Sequence, residues 1–137
     1  MAATKSHLFV YGTLMQQMNN PFAIRLATMA ALVGPATAQG RLFHHPQNYP
    51  CAVCSPDRHD RIHGQVYRME DPEACFEFLD PYEDCDMNQL SQSLFIRTQT
   101  SVDMGHGLSV LSWMYFWNRP LNGLIPIDSG CFTSIRG

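Results

Sequence analysis

Residues 9–15 read Phe9-Val10-Tyr11-Gly12-Thr13-Leu14-Met15, an apolar, β-prone run cut by a glycine. With Leu8 in front of it, the run predicts a strand over residues 8–11, and Gly12 predicts the turn that ends it. Asn20-Pro21 carries the marks of a helix start: a side-chain oxygen for the free backbone N–H groups, then proline where no N–H is required. Phe22, Ile24, Leu26, Ala27, Met29, Ala30 and Leu32 extend this helix, and Gly34-Pro35 stops it.

Farther out, residues 37–43 mix polar and apolar side chains as a strand does, and Tyr49-Pro50 opens a short segment over residues 51–54 before a turn at Pro56-Asp57. Residues 62–69, 94–102 and 108–117 are further strands, with Gly64 marking a bulge or a close backbone approach. A second helix starts at Asp71-Pro72 and places Cys75, Phe78 and Leu79 on one face. Pro81 disfavours helical geometry at Asp80 and so interrupts that helix. Several strands with two short helices, and no regular βαβ alternation, indicate an α+β fold with a largely antiparallel sheet or small barrel.

The 137 residues suit a single domain, read here as spanning 1–137. Only 15% of them are charged, so much of the polar work falls to Gln, Ser, Thr, Asn and the backbone. A net charge of −3 with scattered basic residues offers no footprint for nucleic acid or an anionic membrane. The first seven residues lack the layout of a signal peptide, and the longest apolar stretches are too short to span a bilayer. Five cysteines, an odd number, read as reduced thiols of a cytoplasmic protein.

These landmarks, taken in order, resemble one family. Phe9-Val10-Tyr11-Gly12-Thr13-Leu14-Met15 is similar to the Tyr-Gly-Ser/Thr-Leu signature of γ-glutamylcyclotransferase-like (AIG2-like) proteins. Tyr49-Pro50 with Ala52-Val53 follows, then Gly64-Gln65-Val66-Tyr67, which resembles the family's Gly-x-Val-Tyr strand. Leu79-Asp80-Pro81-Tyr82-Glu83 is similar to Leu-Asp-x-x-Glu, and Leu94-Phe95-Ile96-Arg97 to Leu-Tyr-x-Arg. Ser112-Trp113-Met114-Tyr115 and Ile127-Asp128-Ser129-Gly130 resemble the short bacterial members. The ordered set covers about nine tenths of the chain.

The resemblance implies a small mixed, largely antiparallel β-barrel flanked by short helices, with a cavity at one end. It implies a lyase- or transferase-type reaction in which the free α-amine of a γ-glutamyl compound attacks its own side-chain carbonyl. The products are 5-oxoproline and a free amine or amino acid, with no cofactor or metal. It also implies a small-molecule γ-glutamyl substrate, no nucleic-acid or membrane partner, and a monomer or weak dimer.

Such a reaction needs no protein nucleophile. It needs the substrate held folded, which contributes roughly 7–11 kcal/mol, a carboxylate to move protons, and donors for the substrate's carboxylate and oxyanion. Gly12 lets the backbone approach a ligand; the amides of Gly12, Thr13 and Leu14 and the Thr13 hydroxyl can line a carboxylate site, or the segment is an ordinary glycine turn. Glu83 is the candidate general base, its pKa raised by an apolar site and by the charges of Asp80 and Asp84. By spacing alone, Asp80-Pro81-Tyr82-Glu83 reads rather as a helix capping box with a structural Glu83, and it is the coincidence with the family's catalytic glutamate that favours the base. Tyr11 and Tyr115 are candidate substrate contacts or packing residues, and Arg97 is a candidate strut against Asp80. Phe95 and Trp117 depart from the tyrosines usual in the family. They keep open a catalytically weak or inactive member acting as a small-molecule or protein-binding module, and an enzyme for another amide.

Cys51-x2-Cys54 with His59-x3-His63, and His44-His45 upstream, are zinc-ligand types at nearly ligand spacing. The gap from Cys54 to His59 is too short for a zinc finger, and on a strand the two cysteines point to opposite faces. Buried thiols beside exposed imidazoles are the expected outcome, with no metal.

Overall fold

In the computed structural model, described over residues 6–12, 15 and 20–132, two α-helices and eight strands are present among the described residues. In order they are β1 (Ser6–Val10), α1 (Pro21–Met29), β2 (Ala30–Gln39), β3 (Arg41–His45), β4 (Tyr49–Val53), β5 (Arg61–Met69), α2 (Pro72–Tyr82), β6 (Phe95–Asp103), β7 (Ser109–Trp117) and β8 (Ile125–Pro126). Thr13 and Leu14 lie outside the described residues.

β1, β5, β2, β6 and β7 close into a barrel in that order. Every neighbouring pair is antiparallel except β1 with β7, which close the barrel as parallel strands. A second sheet, ordered β4-β3-β8, covers one flank. The expected mixed, largely antiparallel barrel with short helices is therefore what the chain forms.

The opening run is continuously apolar because β1 is buried on both faces. Leu8 and Val10 join one core cluster with Leu26, Tyr67 and Leu79, while Phe9 and Tyr11 join another with Ile62, Val66 and Met114. Successive strand side chains point to opposite faces, so a strand packed on both sides needs apolar residues at every position. Gly64 supplies the predicted close approach: a Cβ there collides with the Val10 carbonyl and comes within 2.7 Å of the Phe9 ring.

Both helix starts form as expected. The Asn20 side chain accepts from the Ala23 N–H at 2.8 Å, and the Asp71 side chain accepts from the Ala74 N–H at 3.2 Å. Two helix ends differ from expectation. α1 stops at Met29 rather than running on to Gly34-Pro35, since Ala30 is already extended and pairs with Met69 of β5. Leu32 and Val33 are strand residues, half exposed, and a register shift between Leu32 and Gly34 leaves Val33 as the extra residue, so that Gly34 pairs with Val66 and Pro35 with Gln65. Helical spacing of apolar residues here yields to the long β2–β5 ladder. The strand read over residues 37–43 is likewise two strands, divided at Gly40.

Pro81 does not interrupt α2. Asp80 and Pro81 lie within its last turn, where a missing N–H costs one hydrogen bond at an end that is already closing. The helix then closes with the paired bonds of a Schellman motif: Cys85 N–H donates to the Asp80 carbonyl at 2.8 Å, and Asp84 N–H to Pro81 at 3.2 Å. Asp84 takes the left-handed conformation this requires, with φ 53°. Glu83 is thereby the C-cap of α2, and the capping-box reading, which needs Glu83 in the first turn of a helix, is excluded.

Candidate active site

The local rules that end α2 also aim Glu83. After the Schellman turn, Leu94 N–H donates to the Asp84 carbonyl at 2.9 Å, and Asn118 N–H donates to Leu94 at 2.9 Å. These bonds bring the start of β6 and the end of β7 over the helix terminus. At the far side, Gly12 packs against the Pro50 ring so closely that any Cβ at position 12 collides with it. Between these elements lies a cavity of about 280 Å³.

The end of β1 supplies Phe9, Val10, Tyr11 and Gly12 to its lining, and the β3–β4 turn supplies Gln47, Tyr49 and Pro50. Tyr82 and Glu83 come from the end of α2, Leu94 and Phe95 from the start of β6, and Tyr115 from β7. Of the expected site residues, Tyr11, Gly12, Glu83 and Tyr115 therefore meet around one space.

Glu83 is its one charged lining residue among those described. Burial against apolar side chains, and secondarily the charge of Asp80 one turn back, push its carboxyl from 4.5 to about 8. The carbonyl end of α2 is also the negative end of the helix dipole, which opposes ionisation further. Glu83 acts on its surroundings in turn: burial first and the Glu83 charge second push the Cys51 thiol to about 12.

Asp80 is held from two sides. Arg97 Nε donates to its Oδ1 at 3.0 Å and Oδ2 at 3.2 Å, and the Tyr115 hydroxyl donates to Oδ1 at 2.6 Å. The Arg97 guanidinium also lies 4.0 Å over the Phe76 ring and 5.1 Å from Trp113, which fixes it as the strut expected from the sequence. Tyr115 in turn accepts the Tyr11 hydroxyl on its backbone carbonyl at 2.6 Å. Burial chiefly, then Glu83's charge, raises Tyr11; burial, then the bond to Asp80, raises Tyr115, so both phenols stay protonated. Each hydroxyl is thus spent on the protein, and each ring presents its face or edge to the cavity.

Sequence reasoning missed Tyr49, Pro50, Gln47, Tyr82 and Leu94 as lining residues. Tyr49-Pro50, Tyr82 and Leu94 stood in landmark segments without being read as lining, and Gln47 carries no local signal. Phe95 is in the wall, whereas Trp117 stands behind it, ring centroids 5.4 Å apart. The cysteine–histidine group does not assemble: Cys51 is buried, Cys54 exposed, and among the described residues no three His, Cys, Asp or Glu side chains converge as metal ligands.

A closed barrel with an aromatic cavity and, among the described residues, one carboxyl in its lining makes a candidate small-molecule site. The γ-glutamyl cyclotransferase, AIG2-like, family model matches residues 8–134, and the chain belongs to that family. It is similar to the γ-glutamylcyclotransferase family protein YtfP of Escherichia coli (strain K12), 26% identical over 123 residues covering 90% of this chain and 92% of that one. Its structure is similar to that of an AIG2-like protein from Mus musculus, with TM-score 0.69 and 25% identity over 88% of this chain and 83% of that one. It also shares the fold of YkqA from Bacillus subtilis, with TM-score 0.69 and 24% identity; 96% of this chain is covered, spanning 40% of that one.

Proposed function

We propose that the protein is a γ-glutamyl cyclotransferase that converts a γ-glutamyl compound to 5-oxoproline and a free amine or amino acid, with Glu83 as general base. The observation that carries this reading is a carboxyl tuned to about 8 at the edge of an apolar cavity, with no protein donor on it among the described residues. An amino-acid-type ammonium titrates near the same value, so proton transfer between the two is close to balanced.

Ionised Glu83 takes a proton from the substrate's α-ammonium. The freed nitrogen attacks the γ-carbonyl carbon, forming the lactam C–N bond, and the carbonyl electron pair moves to oxygen. Collapse of that adduct breaks the bond to the departing nitrogen, which Glu83 protonates. Over the cycle the α-nitrogen loses two protons; the departing amine takes one on expulsion and another as it becomes an ammonium ion. Glu83 returns to its starting state. The amides of Gly12, Thr13 and Leu14 bind the substrate α-carboxylate, and the rings of Tyr11 and Tyr115 hold the folded chain against the base.

No helix among the described residues is long and apolar enough to cross a membrane, and all five cysteines are free thiols. The free thiols fit a cytoplasmic enzyme, and action on small molecules as a monomer or weak dimer is part of the same proposal. The second reading, a binding module without turnover, rests on Phe95, which brings a hydrocarbon edge where a tyrosine would bring a hydroxyl. Assay of 5-oxoproline over a panel of γ-glutamyl compounds tests both. Turnover that disappears in a folded Glu83→Gln variant supports the proposal. Unchanged activity in that variant removes Glu83 as base, and no product from any compound leaves the binding module.

A further inference from the structure

Resting on the cyclotransferase reading, the geometry points to a specific leaving group: an uncharged amine with an apolar or aromatic body, selected by the corner that Tyr49 and Phe95 form in the cavity wall. The first observation concerns charge. No Lys, Arg or His lines the cavity among the described residues. Arg97 is committed to Asp80 and is absent from the lining.

A substrate whose departing half is an amino acid or a dipeptide brings a second carboxylate into this space. That group loses its water, meets no cation, and shares the cavity with Glu83. The α-carboxylate of the γ-glutamyl half escapes the difficulty because backbone amides receive it. The departing half has no such cradle among the described residues, whose neutral polar groups in that wall are the Gln47 amide and the hydroxyls of Tyr49 and Tyr82.

The second observation concerns shape. Tyr49 and Phe95 meet at a centroid distance of 6.1 Å with planes 57° apart, making a concave aromatic corner. It is braced from outside. Trp117 packs edge-on against Phe95 at 5.4 Å and lies 6.3 Å from Tyr49, while His45 stacks on Tyr49 at 4.3 Å and 11°. Rings held this way offer an apolar group edge and face contacts without first losing rotamer freedom. The enlarged Trp117 therefore acts as a brace for Phe95, and the missing hydroxyl at Phe95 turns a polar wall position into an apolar one.

Four substrates separate charge from shape: the γ-glutamyl conjugates of phenethylamine, phenylalanine, ethylamine and 1,5-diaminopentane. The first two differ only by a carboxylate, and the first and third only by the ring. The phenethylamine conjugate is expected to exceed each of the others in kcat/KM by about tenfold or more. Tyr49→Leu is expected to lower the phenethylamine-to-ethylamine ratio severalfold; Phe95→Leu is the companion variant should the first fail to fold. A higher kcat/KM for the phenylalanine or diaminopentane conjugate overturns the inference, as does a ratio unmoved in both folded variants. Should none of the four yield 5-oxoproline, the cyclotransferase reading fails by itself. Calorimetric binding of the same four compounds to the wild-type protein then decides the wall's preference: the same ranking supports it, and an equal or reversed ranking overturns it.

Discussion

Replacing Glu83 with glutamine is expected to stabilise the protein, and more so as the pH rises. The folded-state value of Glu83, about 8, lies above its ordinary value of 4.5, so the folded protein binds this proton more tightly than the unfolded chain does. The protonated carboxyl's contribution to stability is whole below pH 4.5 and is lost as pH climbs through about 8. From 4.5 to about 8, at about 1.4 kcal/mol per pH unit, the complete loss is about 5 kcal/mol. The residue is half-buried, and solvent reaching the cavity together with relaxation around the charge recovers part of it, so about 2–4 kcal/mol is the working figure. Glutamine has nearly the same shape and no proton to lose. Urea unfolding of both proteins at pH 5 and pH 9, with m-values compared to confirm that the two states are alike, reads the effect directly. The stability difference should move toward the glutamine variant by about 2–4 kcal/mol between the two pH values. A difference constant within about 0.5 kcal/mol would refute the reasoning, for it would mean that the carboxyl ionises as freely folded as unfolded. The result does not depend on any activity. A carboxyl that costs stability where it is ionised is the pattern of a residue kept for function.

Three further outcomes follow from the same geometry. The acid limb of kcat/KM against pH should fall near 8 in the wild type and move to lower pH in Asp80→Asn, because that change removes a negative charge beside Glu83 and leaves the Arg97 cation unpaired; a limb that stays in place dissociates Asp80 from the tuning. Gly64→Ala should destabilise by about 1–3 kcal/mol in urea melts, since its Cβ meets the fixed Val10 carbonyl on one side and the Phe9 ring on the other; a change below about 0.5 kcal/mol would show that β1 and β5 separate easily. Under native conditions a thiol-alkylating reagent should modify exposed Cys54 well before Cys51, whose buried thiol is pushed to about 12; peptide mass spectrometry checks the order, and early loss of Cys51 would show that the core around β4 opens to solvent.

What could be read from the sequence is what local chemistry decides. Asn20-Pro21 and Asp71-Pro72 start helices because the capping oxygen and the proline act within one turn. The 8–11 run announces a strand because it is apolar, β-prone and cut by a glycine, whereas its burial on both faces belongs to the packing. The end of α1 was not legible, since Ala30 and Leu32 continue a helical spacing and only pairing with β5, more than thirty residues away, makes them strand. The cavity was legible only in part for the same reason: Gln47, Tyr49, Tyr82 and Leu94 lie in three separate stretches that barrel closure brings together.

Glu83 shows most clearly how one spacing carries two opposite meanings. Read as the third residue of a helix, its carboxylate would face free N–H groups and the positive end of the dipole, and its pKa would fall. Such a residue is satisfied by the protein and has nothing left to do. One helix position decides otherwise: Pro81 falls in the last turn of α2, Asp84 turns left-handed, and Glu83 becomes the C-cap. That end of a helix presents carbonyls, which cannot donate to a carboxylate, and the charge that acts on it is Asp80, one turn back. Among the described residues the carboxylate has no hydrogen-bond donor, and under the proposed function the ligand that completes it is a cation with a proton to give. An α-ammonium group answers that description.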